Sequence, residues 1–559
     1  MEIRRILARV NYLGELNMLN EIARGKIEEL FEEFKRPGSP GCAVGVMIDG
    51  ELAYKGGFGL ANLEYDIPIK PDTVFHVASM SKQFTAMAAL LLDASGKISL
   101  DDPIGRYLPD CPRFAQDITV RQLIHHTSGL RSDLVLLIMA GWRLEDAITN
   151  GDVMELFRNQ EELNFKPGEQ FSYSGTGYLV LTSIIEEVSG QSLDSFCRRM
   201  IFEPLGMKST FFNDDYLRVV KDRAYAYYPN GEDGYKKAVL TCSLTGGTGL
   251  FTTIEDLAKW DENFYTAEVG GPVVIDKMNQ RARLNSDEVI DYGYGLFIEQ
   301  YGGREIVAHG GDGAGIHCFM MRFPEEHLTV AVLGNLGSIK ARKLAQMTAD
   351  ICFGDAPHVS GKQAHVPSAI KLTEEQMLEK VGRYYDADGA SFVDVEIHEG
   401  SLRVWGYDVM PQSENCFFFA VSPDASAEFS GEPEGEPREL TIDTGLTRQH
   451  FGWVEKINPT QDYLRNFEGS YFSRELDLTW TIAQEDSNLV VKRRRQGQSK
   501  LTAITNDVFA DGWMGPILHS SGKPLAMAFE RDRNRAVSGF RISDSGARVK
   551  NLRFVKVGR

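Results

Sequence analysis

A serine and a lysine stand three residues apart in an apolar stretch of the sequence. The segment FHVASMSKQFTAMAALLL, residues 75–92, contains no Gly or Pro, and we predict a buried helix there. Because side chains at positions i and i+3 share a helix face, Lys82 would lie beside Ser79. A serine hydroxyl becomes a useful nucleophile when a base takes its proton, and a lysine removed from water can be that base. The pair therefore indicates nucleophilic catalysis, whereas the alternative is a helix-capping serine with a lysine that reaches solvent.

A tyrosine in a turn rich in Gly and Ser is a second candidate. Tyr173 lies within KPGEQFSYSGTGYLVL, residues 166–181, immediately before a predicted helix. A tyrosine in such a turn can project into a cleft and transfer protons, while a core tyrosine normally lies inside a regular strand or helix. Two adjacent histidines elsewhere in the chain, His125 and His126, are interpreted as structural.

A predicted strand ends in a histidine and a glycine run. In IVAHGGDGAG, His309 precedes Gly310 and Gly311. Glycines at these positions would let a substrate backbone lie along the strand edge without meeting a side chain. The backbone N–H of Asp312 and that of Ser79 would then stabilise an oxyanion. A histidine alone at the end of a strand is more often structural.

Together, and in this order, the three motifs resemble the active site of serine β-lactamases and penicillin-binding proteins of the class C type. The connecting segments ITVRQLIHHTSGL, GTGLFTTIEDLAKW and DYGYGLF resemble the same branch, and this resemblance covers residues 30–355. The resemblance implies an α+β domain with an antiparallel sheet flanked by helices, and an acyl-enzyme on Ser79. It also implies that Lys82 and Tyr173 share the general-base role and that His309 shapes the electrostatics of the cleft.

Two positions bear on the substrate. Histidine in the third motif is familiar from D-aminopeptidases, which the chain resembles over nearly its whole length. Their second motif is Tyr-x-Asn, but here it is Tyr173-Ser174-Gly175, so the asparagine that helps hold the substrate amide and the lysine is missing. In that family a loop of the last barrel limits the active site to small substrates. The corresponding stretch, DGWMGPILHSSGKP at 511–524 with Trp513, would line the cleft, although such a loop is also an ordinary barrel turn.

The expected activity is the release of N-terminal D-amino acids from small peptides or amides. Gly175 favours, as the alternative, a carboxylesterase that works by the same mechanism. Weak β-lactamase or DD-peptidase activity ranks third. A catalytically silent binding protein is the remaining alternative, and the intact Ser79, Lys82 and Tyr173 argue against it.

The elements that must position these motifs alternate along residues 1–355. CAVGVMIDGELAYKGGFG reads as two strands joined at Asp49-Gly50, and strands at both ends of a largely helical stretch favour a mostly antiparallel sheet. Residues 356–369 are rich in Pro, Gly and Ser and read as a linker.

The remaining sequence is predicted to form β-structure twice. Short alternating segments and turn residues dominate it, and a weak internal repeat aligns Gly382 with Gly469 and Tyr384 with Tyr471. We predict two antiparallel β-barrels of lipocalin type, at 370–459 and 460–559, with chance similarity as the alternative.

Charge and composition exclude several classes of partner. The 60 Lys and Arg residues against 79 Asp and Glu residues give a net charge of −19. Nucleic acids and anionic membranes need a cationic face, so we expect neither as a partner. We expect a small-molecule or short-peptide substrate, and a homodimer is the assembly that we consider.

Cysteine usage and the motifs that are missing complete the prediction. Seven scattered cysteines without a CxxC pair indicate a reducing compartment rather than a disulfide framework or a zinc site. The sequence shows no signal-peptide pattern and no apolar run long enough for a membrane span, so we expect a cytoplasmic protein. It also lacks nucleotide-binding, GxSxG and HExxH motifs, so we expect no cofactor and no metal.

Overall fold

The computed structural model describes residues 19–354 and 370–558, with gaps inside these ranges. The gaps are residues 144, 232–233, 387–390, 421, 432–437, 445–447, 513–524 and 545–547. An α+β region that ends at Gly354 precedes two closed antiparallel barrels, which confirms the predicted fold class. The predicted linker and the loop around Trp513 lie outside the described residues.

A six-stranded antiparallel sheet forms the centre of the α+β region. Its strands are β1 (Cys42–Ile48), β2 (Glu51–Phe58), β3 (Phe297–Tyr301), β4 (Arg304–Gly313), β5 (Ile316–Phe323) and β6 (Leu328–Gly334). Their order across the sheet is β3-β4-β5-β6-β1-β2. The turn between β1 and β2 has positive φ at both Asp49 and Gly50, as expected for a tight hairpin with this dipeptide.

Helices cover both faces of the sheet. Alternate residues of β1 enter opposite cores, because successive strand side chains point to opposite faces: Ala43 and Met47 face one side, Val44 and Val46 the other. The described α-helices are Glu21–Leu30, Lys82–Ala94, Val120–Ile124, Asp133–Met139, Asn150–Asn159, Gly175–Ser189, Leu193–Cys197, Ile254–Thr266, Gly271–Met278, Ala341–Phe353, Glu374–Leu378 and Gln461–Arg465.

Short strands outside the central sheet brace the connections. They are Leu60–Asn62, Ile67–Pro68, Phe75–His76, Ile148–Thr149, Phe211–Phe212, Ala226–Pro229, Tyr235–Ala238, Cys242–Ser243, Leu250–Thr252, Ala282–Arg283 and Val289–Ile290. Among the residues with described positions, no helix combines the length and apolarity needed to cross a bilayer.

The predicted helix over residues 75–92 begins later than expected. Phe75–His76 is a strand that pairs with Leu250–Thr252, a 3₁₀ turn follows, and the α-helix starts only at Lys82. The backbone N–H of Val77 donates to the carbonyl of Leu250, which holds the chain in the small sheet up to that residue. Tertiary pairing therefore overrides the helical pattern of the first seven residues.

The two barrels have the same plan, so the internal repeat is confirmed as a structural one. The first barrel has the strands Gly382–Asp386, Ser391–His398, Ser401–Val404, Tyr407–Pro411, Cys416–Phe419, Ser422–Ser430, Glu439–Asp443 and Arg448–Val454. The second has Gly469–Ser473, Leu478–Glu485, Asn488–Arg493, Gly497–Thr505, Val508–Asp511, Leu525–Arg531, Val537–Asp544 and Leu552–Val557. In both, the aligned tyrosine hydroxyl donates to the carbonyl four residues earlier: Tyr384 to Lys380 and Tyr471 to Phe467.

Candidate active site

The 3₁₀ turn Ala78–Ser81 carries Ser79 at the entrance to the following helix. Ala78 has a φ of 45°, a conformation that an alanine adopts only where the surroundings enforce it. Ser81 supplies that constraint, because its buried hydroxyl donates to the carbonyl of Ala78 at 2.5 Å and accepts from the backbone N–H of Leu250 at 3.1 Å. The nucleophile candidate is therefore held on a rigid, strained turn.

Lys82 lies next to Ser79 at the start of the helix. Its side chain is buried, and its Nζ lies 3.1 Å from Ser79 Oγ, which is the contact that a base needs to take the hydroxyl proton. The same Nζ donates to the carbonyl of Gly247 at 2.7 Å. Sequence reasoning treated Gly247 only as part of a connecting segment, so this partner of the lysine was missed.

Tyr173 lies over the lysine and is held by a histidine. Lys82 Nζ is 4.7 Å from the centroid of the Tyr173 ring. His126 packs against that ring at 4.3 Å, and its Nδ1 accepts from the backbone N–H of Ser174 at 3.2 Å. Its carbonyl accepts from Ser172 N at 2.9 Å. His126 thus holds the residues on both sides of Tyr173, a positioning role that the sequence interpretation did not reach.

His309 lies on β4 and is neutral. Burial, together with the charge of Lys82, lowers the pKa of His309 to about 3. Its Nδ1 lies 2.6 Å from the carbonyl of Gly310, so this nitrogen carries the hydrogen and donates. Nε2 is then a lone-pair acceptor, and it has no hydrogen-bond partner within the described part of the chain. The histidine therefore carries a dipole and an acceptor nitrogen rather than a positive charge.

Gly311 allows β4 to pack closely on the turn that carries Ser79, while Gly310 faces the neighbouring strand β5. A Cβ on Gly311 would lie 2.0 Å from the carbonyl oxygen of Val77 and 3.4 Å from the backbone nitrogen of Ser79. A Cβ on Gly310 would meet the ring of Phe319 at 3.3 Å. Glycine is needed at position 311 because the protein's own backbone fills the space beside it. The sequence pattern predicted instead that this space would receive a substrate backbone.

Asp312 lies beside these glycines on β4, which brings its backbone close to the turn that carries Ser79. Its carboxylate binds Nδ1 of His317 at 2.6 Å, outside the cleft. The oxyanion role of the Asp312 N–H stays a prediction.

The space opened by Gly175 is occupied by a carboxylate. A Cβ on Gly175 would lie 2.4 Å from Oδ1 of Asp133, the first residue of the helix Asp133–Met139. Burial raises the pKa of Asp133, and hydrogen bonding from the Leu134 backbone and the charge of Lys82 offset this only in part. A side chain from a distant helix thus stands where the asparagine of the second motif would begin. No sequence pattern connects these two positions.

The second barrel supports this wall of the cleft. The carbonyl of Arg131 accepts from Thr176 Oγ1 at 2.6 Å, and its guanidinium donates to the carbonyl of Lys550 at 2.9 Å and to the carboxylate of Glu475. Both partners of the Arg131–Glu475 ion pair are almost fully buried. Arg131 therefore links the second motif to the barrel.

These groups form a unit that can carry out acyl transfer. A hydroxyl lies beside a buried amine, a phenol covers the amine, and a neutral imidazole and a carboxylate flank the pair. The family model described as Beta-lactamase matches residues 27–349, which include all of these groups. The chain belongs to the beta-lactamase family.

Individual proteins agree with this assignment to the beta-lactamase family. A penicillin-binding protein of Bacillus subtilis is 28% identical over 446 residues, which cover 74% of this chain and 98% of the relative. A D-aminopeptidase of Brucella anthropi is 27% identical over 514 residues, 90% of this chain and 93% of the relative. The octameric penicillin-binding protein homologue from Pyrococcus abyssi aligns with a TM-score of 0.53 at 24% identity, over 77% of this chain and 99% of the homologue. This member of the beta-lactamase family is a serine hydrolase.

Proposed function

We propose that the protein is an aminopeptidase or amidase that releases N-terminal D-amino acids from small peptides or amides. The observation that carries the proposal is the carboxylate of Asp133 beside Gly175, on the wall of the cleft that holds Lys82. A carboxylate at this place offers a partner to the α-ammonium group of a substrate. The preference for the D configuration rests on the similarity to the Brucella anthropi D-aminopeptidase.

The proposed mechanism uses Ser79 as the nucleophile. Its Oγ attacks the scissile carbonyl while Lys82 and Tyr173 take up the proton, and the N–H groups of Ser79 and Asp312 receive the oxyanion. Tyr173 returns a proton to the leaving amine, and water then hydrolyses the ester. His309, neutral and with an acceptor nitrogen that has no partner among the described residues, orients hydrogen bonds in the cleft.

Further parts of the proposal concern the surroundings of the site. The 511–524 loop with Trp513 limits the cleft to small substrates. The assembly is a homodimer, and the partner in the cleft is a small molecule or short peptide. All seven cysteines are free, which is compatible with a cytoplasmic location.

Three chromogenic substrates test the reaction. D-alanine p-nitroanilide, p-nitrophenyl butyrate and a cephalosporin would be compared for the natural chain and for Ser79→Ala. We expect D-selective anilide hydrolysis that is lost in the variant, because no other serine or threonine hydroxyl hydrogen-bonds to Lys82 Nζ among the described contacts. Activity that survives Ser79→Ala would show that the nucleophile is a different residue.

The role of Asp133 is tested by Asp133→Asn, which keeps the shape of the side chain and removes its charge. We expect kcat/KM for D-alanine p-nitroanilide to fall by about 10- to 100-fold, as for the loss of a charged hydrogen bond. Hydrolysis of p-nitrophenyl butyrate, which carries no ammonium group, is the internal control and should stay within about twofold. An equal fall for both substrates would assign Asp133 to the alignment of Lys82 instead.

A carboxylesterase is the second candidate, and Gly175 favours it. Without the asparagine of the second motif, the site lacks the amide side chain that would hold a substrate amide. Hydrolysis of p-nitrophenyl butyrate without any D- or L-alanine p-nitroanilide turnover, and lost in Ser79→Ala, would establish this candidate in place of the first.

A further inference from the structure

A cavity lies beside the strand that leads into the turn carrying Ser79. It has a volume of about 130 Å³ and is enclosed by the strand Phe75–His76, the segments 223–226 and 237–240, and the adjoining ends of β5 and β6. Its polar lining includes His76, Arg223 and Lys237. No Asp or Glu lines it within the part of the chain that the structure describes. In a protein with a net charge of −19, a cavity with cationic and no acidic lining is unusual.

Arg223 is the charged group that matters most in this cavity. Its guanidinium stacks over the rings of Phe251, at 5.0 Å, and Tyr225, at 5.4 Å, which fix its plane. Its Nε is buried and finds no hydrogen-bond partner in the described ranges, and no carboxylate there pairs with it. Burial lowers the pKa of Arg223, as expected for a cation that is poorly compensated. An arginine placed in this way is suited to a planar anion, which it can bind through two N–H groups.

His76 adds a second polar group without a partner. The residue is 6% exposed, and its Nδ1 has no hydrogen-bond partner among residues of described position. Burial and the charge of Arg223 lower the pKa of His76 to about 3, so the ring is neutral. Thr248 Oγ1 lies 3.4 Å from Nε2; if the hydroxyl donates there, Nδ1 carries the ring hydrogen and is a donor.

Lys237 contributes less to anion binding than Arg223 and His76 do. Its Nζ is 3.2 Å from a carboxylate oxygen of Glu64, so its charge is already paired on the outer side of the cavity. The anion-binding capacity of the cavity therefore resides mainly in Arg223.

The cavity is joined to the active site by two short connections. His76 precedes Ser79 by three residues, and β4 approaches the three residues that follow His76. Thr248, the neighbour of His76, directly follows Gly247, whose carbonyl holds Lys82 Nζ. A group bound against His76 and Arg223 would thus lie next to the segment that leads into the turn carrying Ser79.

We propose that this cavity binds a small carboxylate anion, and that the C-terminal carboxylate of a short peptide, on the leaving-group side of the scissile bond, supplies it. The binding of an anion stands independently of the proposed function, whereas the source of the anion rests on it. With Asp133 receiving the ammonium group and Arg223 the carboxylate, the protein would recognise both ends of a short peptide.

Anion binding is measured first, without any substrate. The thermal unfolding midpoint of the full chain is followed in sodium acetate and in sodium chloride at equal ionic strength, because a ligand that binds only the folded state raises the midpoint. We expect acetate to raise it for the natural chain and for Arg223→Lys, and not for Arg223→Gln. The matched control is Arg218→Gln, which removes the same charge from an arginine that stacks on Phe211 and pairs with Asp194 outside the cavity. An acetate response that Arg223→Gln leaves intact would overturn the proposal.

Kinetics then identify the source of the carboxylate. D-alanylglycine and D-alanylglycylglycine are each compared with their C-terminal amides in the natural chain and the same variants. We expect KM to be about tenfold lower for the free acids, as for one charged hydrogen-bonding pair, and the difference to vanish in Arg223→Gln. If acetate binds through Arg223 but acids and amides react equally, the anion site stands and a separate small anion occupies it. If no peptide is hydrolysed at all, the proposed function fails, and the acetate measurement alone decides on the cavity.

Discussion

The two barrels are built alike but contact the rest of the protein differently. The second barrel shares one continuous apolar core with the helix Asp133–Met139 of the catalytic domain. The first barrel closes its core among its own residues and meets the second barrel through Phe392, which packs against Ile504 and Val508. One copy of the repeat has thus become part of the active-site wall, whereas the other packs on its neighbour.

The second barrel can therefore influence the residues around Asp133 without supplying a reacting group. Arg131 and Ser132 immediately precede Asp133, and both are held by the second barrel, through Glu475 and through the carbonyls of Arg548 and Lys550. The place of the carboxylate beside Gly175 therefore depends on residues far along the chain. The comparison predicts that damage to the second barrel reaches the active site, while equal damage to the first does not.

Among the substitutions, Glu475→Gln is expected to lower stability and activity the most. Removing one partner of a buried ion pair leaves an uncompensated charge, which typically costs about 3–5 kcal/mol. Arg131 would be that charge, since its side chain is 1% exposed. We expect urea unfolding to show this loss of stability, and kcat/KM to fall by about 10- to 100-fold at temperatures where the variant is folded, because small displacements of a catalytic wall are costly.

The matched control for this pair lies in the first barrel. Asp394→Asn breaks an ion pair with Arg383 in which the carboxylate is half exposed, so the cost should stay below about 1 kcal/mol with unchanged kinetics. Equal effects of Glu475→Gln and Asp394→Asn would remove the distinction between the barrels.

Core substitutions at aligned positions of the two barrels show whether a loss of stability in a barrel also lowers activity. Leu402 and Leu489 occupy equivalent places in the two repeats, and each is 1% exposed. Replacement of either by alanine should destabilise its own barrel by about 2–5 kcal/mol, through lost burial and a new cavity. Steady-state assays at low temperature should find reduced kcat only for Leu489→Ala. If Leu402→Ala lowers kcat to the same extent, the first barrel also supports the active site.

Acid should separate the barrels through several smaller contributions to stability, one from each buried histidine. Burial lowers the pKa of His76, His125 and His309 to about 3 in the folded chain, below the value of about 6.5 in an unfolded one. The unfolded state then binds more protons, so stability is complete above pH 6.5 and falls as the pH decreases from there toward 3, by about 1.4 kcal/mol per pH unit for each histidine.

The measurement is hydrogen–deuterium exchange between pH 7.5 and 5, corrected for intrinsic exchange. We expect the catalytic domain and the second barrel to lose protection together, and the first barrel, whose described histidines His398 and His450 are exposed, to keep it. Simultaneous loss in all three domains would contradict the separation.

Much of the fold was predictable because its signals are local. The hairpin at Asp49-Gly50, the helix that follows the Tyr173 turn and the repeated Gly-x-Tyr of the barrels each follow from nearby residues. The predicted start of the helix Lys82–Ala94 was wrong, because the pairing of Phe75–His76 with the strand Leu250–Thr252 is not visible in the local sequence pattern.

Only those residues of the site that belong to short sequence motifs could be predicted from the sequence. The spacing of Ser79 and Lys82 gave their contact, since positions three apart meet in a 3₁₀ turn as well as in an α-helix. Asp133, His126 and Gly247 carry no such signal, because what brings them to the cleft is the packing of distant segments. The need for glycine at position 311 likewise has no local signal, because it arises from the close approach of two backbones.

The ion pair between Arg131 and Glu475 also bears on the order in which parts of the protein fold during synthesis. The nucleophile, the lysine and the tyrosine leave the ribosome early, but the groups that anchor the wall around Asp133 follow only with residues 475 and 548–550. Since domains fold as units while translation proceeds, the nascent chain carries its reacting groups long before it can fix their surroundings. We therefore expect the wall around Asp133 to become fixed only near the end of synthesis, when the second barrel docks against residues 131 and 132.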